Sequence, residues 1–439
     1  MAKRNVTLGL VGAVIAMTVL SGCSDTPSQP VTSDSPAVVT IYGTPTGNEG
    51  SQWEASWAAW AAANNVTIEY TGDRDFTTNI STKIQGNALP DIAVFPQPGL
   101  MRAVIDTGKV QPLDATTQAA ITKNFSADWQ SYGTVNGKQY AVPLDASVKG
   151  YVWYSPKAFS EWGVSIPKTW DELMALTDTI QAKTGKQVWC AGFNSGDASG
   201  WPGTDQLAQY VLSASGGQVY DKWVAGDVKF TDPAIADAFT ALGKILLNPK
   251  YVNAGFGDVA SINSTSFGDV ATPLANGQCA MTNQATFLQA SFADVTTAAG
   301  TVPVVAEDGD IWAFMAPPVA GTPSVTGGGD FAVAFSDRPE VQKVMAYLAS
   351  AEYANSLITV QGATFITANK GVDVSKASNP LLADAMVTLT DPSTAFRFGA
   401  GDAMPSVVQQ AWWKGTVDWI NGKDQATVLS EIQAAWADA

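Results

Sequence analysis

Hydrophobic and polar positions change period repeatedly along the first hundred residues of the folded part of the chain. Val38 to Tyr42 is a β-branched run closed by Gly43, and Val66 to Tyr70 alternates apolar with polar positions; both predict strands. Between them Trp53, Trp57 and Trp60 recur at i, i+4 and i+7, which predicts a helix over residues 51–64, with Ser51 and Glu54 spaced as a capping box. Phe76, Ile80 and Ile84 predict a second helix, and Ile92 to Phe95 a third strand closed by Pro96-Gln97-Pro98-Gly99. The order is βαβαβ. Such a unit implies parallel strands joined by helical crossovers, with ligands gathering beyond the carboxyl ends of the strands, here residues 43–49, 72–75 and 96–99.

Further along, Val135-Asn136-Gly137-Lys138 predicts a hairpin turn, and Thr169 with Glu172 repeats the capping-box spacing at a helix start. Residues 192–203 are rich in Gly, Ser and Asp and read as a long loop. Three glycines lead into Asp330, and Arg397-Phe398-Gly399-Ala400-Gly401-Asp402 precedes a last helical segment holding Trp412, Trp413 and Trp419.

Composition narrows the chemistry. Among 439 residues there are 24 Lys and Arg against 40 Asp and Glu, a formal charge of −16, and no histidine. Catalysis through a Ser-His-Asp or Cys-His arrangement and His-ligated metal sites are thereby excluded, and no metal site is expected. The acidic balance, without a basic cluster, speaks against nucleic acid. No GxGxxG or GxxxxGK[ST] pattern follows any predicted strand, so no nucleotide cofactor is expected.

The amino terminus carries its own signal. Lys3 and Arg4 precede an apolar run from Val6 to Leu20, then Ser21-Gly22-Cys23, which reads as an export signal over residues 1–22 with Cys23 in lipobox position. The expectation is a lipidated Cys23 at the head of a Ser, Thr, Asp and Pro tether reaching residue 37, in a protein held outside the cell membrane. Cys190 and Cys279 remain, and an even pair in an exported protein favours a disulfide over two buried thiols.

The block Gly150-Tyr151-Val152-Trp153-Tyr154-Ser155-Pro156-Lys157-Ala158-Phe159, continued by Pro167-Lys168-Thr169-Trp170-Asp171-Glu172-Leu173, resembles a conserved strand and helix start of a known family. That family is the extracellular solute-binding proteins of bacterial ABC importers, in the group that includes the maltose-binding protein. Gly72-Asp73-Arg74-Asp75-Phe76, Leu89 to Gly99, Gly200-Trp201-Pro202-Gly203-Thr204-Asp205 and Phe396-Arg397-Phe398 are similar to its alpha-glucoside binders, although Gly399 stands where that subgroup is expected to carry Asp. The resemblance implies an α/β periplasmic-binding-protein-like fold of two lobes, each a central β-sheet flanked by helices, joined by a hinge. It places lobe 1 at residues 38–147 with 305–350, and lobe 2 at 148–304 with 351–439. It also implies a sugar between the lobes and membrane permease subunits as partners.

Sugars present hydroxyl arrays and an apolar C–H face, so their sites combine carboxylates and Arg with a stacked aromatic ring. Trp201, in a Gly-rich stretch without periodic partners, is the candidate platform, with Trp312 a second; Trp53, Trp57 and Trp60 belong to a core. Candidate hydrogen-bonding residues are Glu49, Asp73 and Asp75 at strand ends, Asp145, Asp205, Asp330, Arg397 and Asp402. For Asp73 and Asp75 the alternative to a ligand role is a local salt bridge with Arg74, which lies between them. The chain is read as a binder and not an enzyme, the competing readings being a glycoside hydrolase working through two carboxylates and a surface lipoprotein without a small ligand.

Overall fold

The computed structural model describes residues 35–320, 324–391 and 394–439. Cys23, the export signal and nearly all of the tether lie outside the described residues. The strands are β1 (Ala37–Gly43), β2 (Val66–Gly72), β3 (Ile92–Phe95), β4 (Thr134–Val135), β5 (Lys138–Gln139), β6 (Ala141–Pro143), β7 (Ser147–Val148), β8 (Tyr151–Tyr154), β9 (Met281–Gln284), β10 (Trp312–Met315), β11 (Ser324–Gly328), β12 (Phe331–Ala334) and β13 (Ala395–Phe398).

The first sheet has the order β2-β1-β3-β12-β6. Its β2, β1 and β3 run parallel, joined by helices α1 (Gly47–Ala63) and α2 (Phe76–Gln85). Strand β12 lies antiparallel between β3 and β6, with Val333 opposite both Ala93 and Ala141. All four residues of β3 and all four of β12 are buried, as continuous apolar runs covered on both faces must be. A core gathers here around Val39, Ile41, Trp53, Phe95, Phe331 and Leu357. The Trp periodicity of α1 marks its buried face, but the helix starts at Gly47 rather than Ser51, with Thr46 as N-cap. Ser51 therefore lies one turn inside, and the capping box read from Ser51 and Glu54 does not form. The same spacing at Thr169 does cap: Thr169 Oγ1 accepts from Glu172 N at 3.2 Å.

The second sheet, β10-β8-β9, is antiparallel, and a second core surrounds Val152, Phe193, Leu207, Trp223, Trp412 and Trp419. A small third sheet, β13-β11-β7, rests on the helix Trp201–Val224, whose Gln209 binds the backbone of Ser324 and Thr326. The molecule is thus two α/β lobes. Among the described residues the chain crosses between them three times: where β6 gives way to β7, through Leu144 to Ala146; where β11 gives way to β12, through Gly329 and Asp330; and at β13, between residues 389 and 400.

Two stretches sit in lobes other than those expected. Residues 305–320 carry β10, which pairs with β8 and so belongs to lobe 2. Residues 351–389 belong to lobe 1, because Tyr353, Leu357, Leu382 and Met386 join its core and Thr364 N donates to Gln52 of α1 at 2.9 Å. The hairpin at Asn136-Gly137 forms, both residues taking the positive φ of the tight turn that the pair favours. Cys190 and Cys279 form a disulfide within lobe 2, spanning 89 positions.

Candidate functional site

The carboxyl ends of β1, β2 and β3 open onto a cleft of about 1020 Å³ between the lobes, its mouth included. Lobe 1 contributes Thr44, Pro45, Glu49, Arg74 and Gln97 from those ends, and Phe365 from the chain beyond β12. Lobe 2 contributes Trp201, Phe267, Phe287, Asp402 and Trp413. The floor is the crossover itself, with Asp145, Lys149 and Asp330.

The aromatic wall is built by contact. Trp201 meets Phe267 edge-on at 5.1 Å between ring centroids and Phe287 at 5.7 Å, so three rings hold one another in place. The structure puts Trp201 in the first turn of its helix, after Gly200, and not in an open loop. Across the cleft the Arg74 guanidinium lies 5.4 Å from the Phe267 centroid.

On the floor, Asp145 is held by both lobe and hinge. Its Oδ2 accepts from Trp53 Nε1 at 3.0 Å and its Oδ1 from Asp330 N at 3.1 Å. Burial, then the Asp330 charge, pushes the Asp145 carboxyl well above the usual range. Asp330 is pushed up to about 7, chiefly by burial, with Glu49 and Asp402 adding to the rise. Its Oδ1 has no hydrogen-bond partner. Burial and mutual repulsion at the crossover therefore disfavour ionising both carboxyls together.

Beside them Lys149, buried, donates through Nζ to Asp205 Oδ1 and to Asp402 Oδ2, each at 2.7 Å. Gln409 Nε2 donates to the other Asp402 oxygen at 3.1 Å. Burial raises the Asp205 carboxyl to about 7 despite Lys149, with Asp402 adding to the rise. Gly399 leaves room here: a Cβ on it would stand 2.8 Å from Asp402 Oδ2 and 2.9 Å from Lys149 Nζ, so the ion pair would have to shift. The position read as a missing carboxylate is the space that this buried ion pair fills.

Among the sequence candidates, Glu49, Asp145, Trp201, Asp330 and Asp402 line the cleft together. The others have different neighbours. Asp205 stands behind Lys149 as its second counter-ion. Arg397 is bound by Asp221 through two hydrogen bonds, at 2.6 and 2.9 Å, away from the cleft lining. Asp73 accepts from the Tyr42 hydroxyl and from Asn79, which ties the start of α2 to β1. Asp75 sits exposed at the rim, where its Oδ1 accepts from Asp197 N. Trp312 is half-buried on β10 opposite Tyr154, packed against both cores. Arg74 pairs with Glu49 at 2.6 Å instead of with its chain neighbours.

Sequence reading missed Lys149, Gln97, Phe267, Phe287 and Trp413. Gln97 Oε1 and Trp413 Nε1 are buried, line the cleft and have no partner. Gln97 lies in the turn closing β3, a stretch already marked as a ligand position; nothing local distinguishes the other four.

Comparison with known proteins decides the family. The model of the bacterial extracellular solute-binding protein family matches residues 44–355. The chain belongs to this family. It is 33% identical over 405 residues to the osmoprotective compounds-binding protein GgtB of Synechocystis, covering 91% of this chain and 92% of that one. It is 33% identical over 413 residues to the alpha-glucosides-binding periplasmic protein AglE of Rhizobium meliloti, covering 91% of this chain and 86% of that one. Among solved structures, the bacterial solute receptor AcbH superposes with a TM-score of 0.77 at 18% identity, over 92% of this chain and 99% of the other, a likeness of fold. As a member of this family the chain works outside the cytoplasm as the solute receptor of an ABC importer.

Proposed function

We propose that this solute-binding protein captures a neutral glycoside, of the alpha-glucoside or related oligosaccharide class, and releases it unchanged to membrane permease subunits. The observation that carries this reading is the cleft: an aromatic wall of Trp201, Phe267 and Phe287 faces carboxylates and unpartnered polar atoms of Asp330, Gln97 and Trp413. Rings cover the C–H face of a sugar, and each unpartnered buried atom gains a hydroxyl partner on binding. AglE, named for alpha-glucosides, supports the sugar class.

Charge selects within that class. Glu49, Asp145, Asp330 and Asp402 line the cleft, and its two cations, Arg74 and Lys149, are both engaged in ion pairs. A uronate or sugar phosphate would meet carboxylates with no free cation to receive it, whereas a neutral polyol meets acceptors it can satisfy. Export and lipidation at Cys23 would hold the receptor beside its permease.

Titration calorimetry with neutral alpha-glucosides and the matching glucuronides tests the reading. Heat with at least one neutral glycoside and none with its glucuronide is expected, and Trp201→Ala should weaken that binding at least tenfold without unfolding the protein. Absence of heat and of any melting shift with every neutral glycoside would refute it.

A further inference from the structure

The two lobes also touch at the rim of the cleft, through groups on neither its floor nor its aromatic wall. Helix α2 of lobe 1 begins after Asp75, and the Asp75 side chain does not cap it. The cap comes from lobe 2. Asp197 Oδ2 accepts from Thr78 N, the third residue of the helix, at 2.7 Å, and Asp197 N donates to Asp75 Oδ1 at 3.2 Å. Asp197 thus takes the place of an N-cap side chain toward the third residue of the helix, from the other lobe, and its own amide ties it to the N-cap residue Asp75. Gly196, with φ +60°, brings the loop in closely: a Cβ there would lie 2.6 Å from Asp75 Oδ1 and 3.2 Å from Arg74 O. Neither Asp75, Thr78, Gly196 nor Asp197 lines the cleft.

We propose that Asp197 is a positioning residue that sets the closed fraction of this receptor, through a helix cap shared between the lobes and independent of the ligand. The first turn of α2 presents amide hydrogens that need acceptors, and a carboxylate is also favoured by the helix dipole at that end. When the lobes part, water replaces Asp197 and the cap is lost. Its contribution therefore appears as a bias between open and closed forms, and apparent affinity scales with the fraction able to bind. The inference rests on the solute-capture reading for its affinity test alone.

Three variants read it. Asp197→Ala removes the cap, Asp197→Asn keeps a capping oxygen, and Gly196→Ala forces a Cβ against Asp75 while leaving Asp197 in place. Because Asp197 lies off the ligand surface, Asp197→Ala should raise Kd about fivefold for every glycoside that binds, by one common factor, as expected for loss of an N-cap. Asp197→Asn should restore most of that affinity, and Gly196→Ala should weaken it like Asp197→Ala. Pulsed-EPR distances between spin labels on Thr82 and Ser264, both exposed and on opposite lobes, measure the closed fraction without ligand, which should fall in Asp197→Ala and Gly196→Ala. If the wild type binds no glycoside, the solute reading fails while the distance measurement still decides the cap. Unchanged distances together with unchanged affinity, or factors that differ from ligand to ligand, would overturn the proposal.

Discussion

Lys149 is the residue on which the lobe 2 side of the cleft depends. Removing one partner of a buried ion pair leaves the other charge without compensation, which typically costs about 3 to 5 kcal/mol. Here two carboxylates would be left. Lys149→Met should therefore lower stability by roughly that amount, a large share of a domain's usual ~5 to 15 kcal/mol, read as the urea midpoint at constant m-value; a loss under about 1 kcal/mol would remove Lys149 from this role.

Carboxyls with raised pKa make a second prediction. Asp205 and Asp330 titrate near 7 in the fold, and Asp145 is raised in the same direction, against about 3.9 in an unfolded chain. Between those values the native state holds more protons than the unfolded one, so stability falls as pH rises through about 7 and is fully retained below about 4. Asp73 and Asp418, held low by hydrogen bonds and nearby lysines against the effect of burial, act oppositely but in the acid range. With no histidine to titrate in between, the urea midpoint should be lower at pH 8 than at pH 5 at matched ionic strength. A rise over that interval would contradict the raised values. Glu49, Asp330 and Trp201 were legible from sequence because each follows a strand end or a glycine stretch. Lys149 and Trp413 were not: their contacts reach Asp402, 253 positions away, and Gly200, whose Cβ would strike the Trp413 backbone.

Periodicity revealed the elements whose burial is regular. Strand β3 and the Trp face of α1 follow the rules of a strand covered on both sides and of an amphipathic helix. Strand β12 is as apolar as β3, yet nothing in Phe331 to Ala334 announces an antiparallel neighbour to it, because pairing is decided by chains meeting in space. The lobe assignments of residues 305–320 and 351–389 were lost for the same reason. At this scale the Cys190 to Cys279 disulfide is the strongest local constraint. Cross-linking over 89 positions is worth about 4 to 5 kcal/mol in the chain-entropy model. Cys190→Ala with Cys279→Ala should lower the urea midpoint accordingly, and an unchanged midpoint would show that the bond contributes nothing in solution.

For the whole molecule, the crossover and the ligand floor are one place. Asp145 and Asp330 occupy two of the three segments that pass between the lobes, and Leu144 N donates to Asp330 O at 2.7 Å, locking these two side by side. A solute resting on these carboxyls therefore touches the pivot, while Trp201 and the Asp197 cap act at the wall and the rim. Closure would then report on solute and pivot together, which is how a bound state can be presented to a partner.

The position of β12 has a consequence for how the chain comes to be folded. The central sheet of lobe 1 needs a strand that lies more than two hundred residues after β3 in the sequence. During synthesis, β3 and β6 remain unpaired edges until that strand emerges, whereas the segment between Cys190 and Cys279 is complete much earlier. Neither lobe is complete until late: lobe 1 still takes residues 351–389, and lobe 2 its closing helices over residues 400–434. Each lobe therefore lacks part of its core until nearly the whole chain has been made, so neither can form as a finished unit ahead of the other.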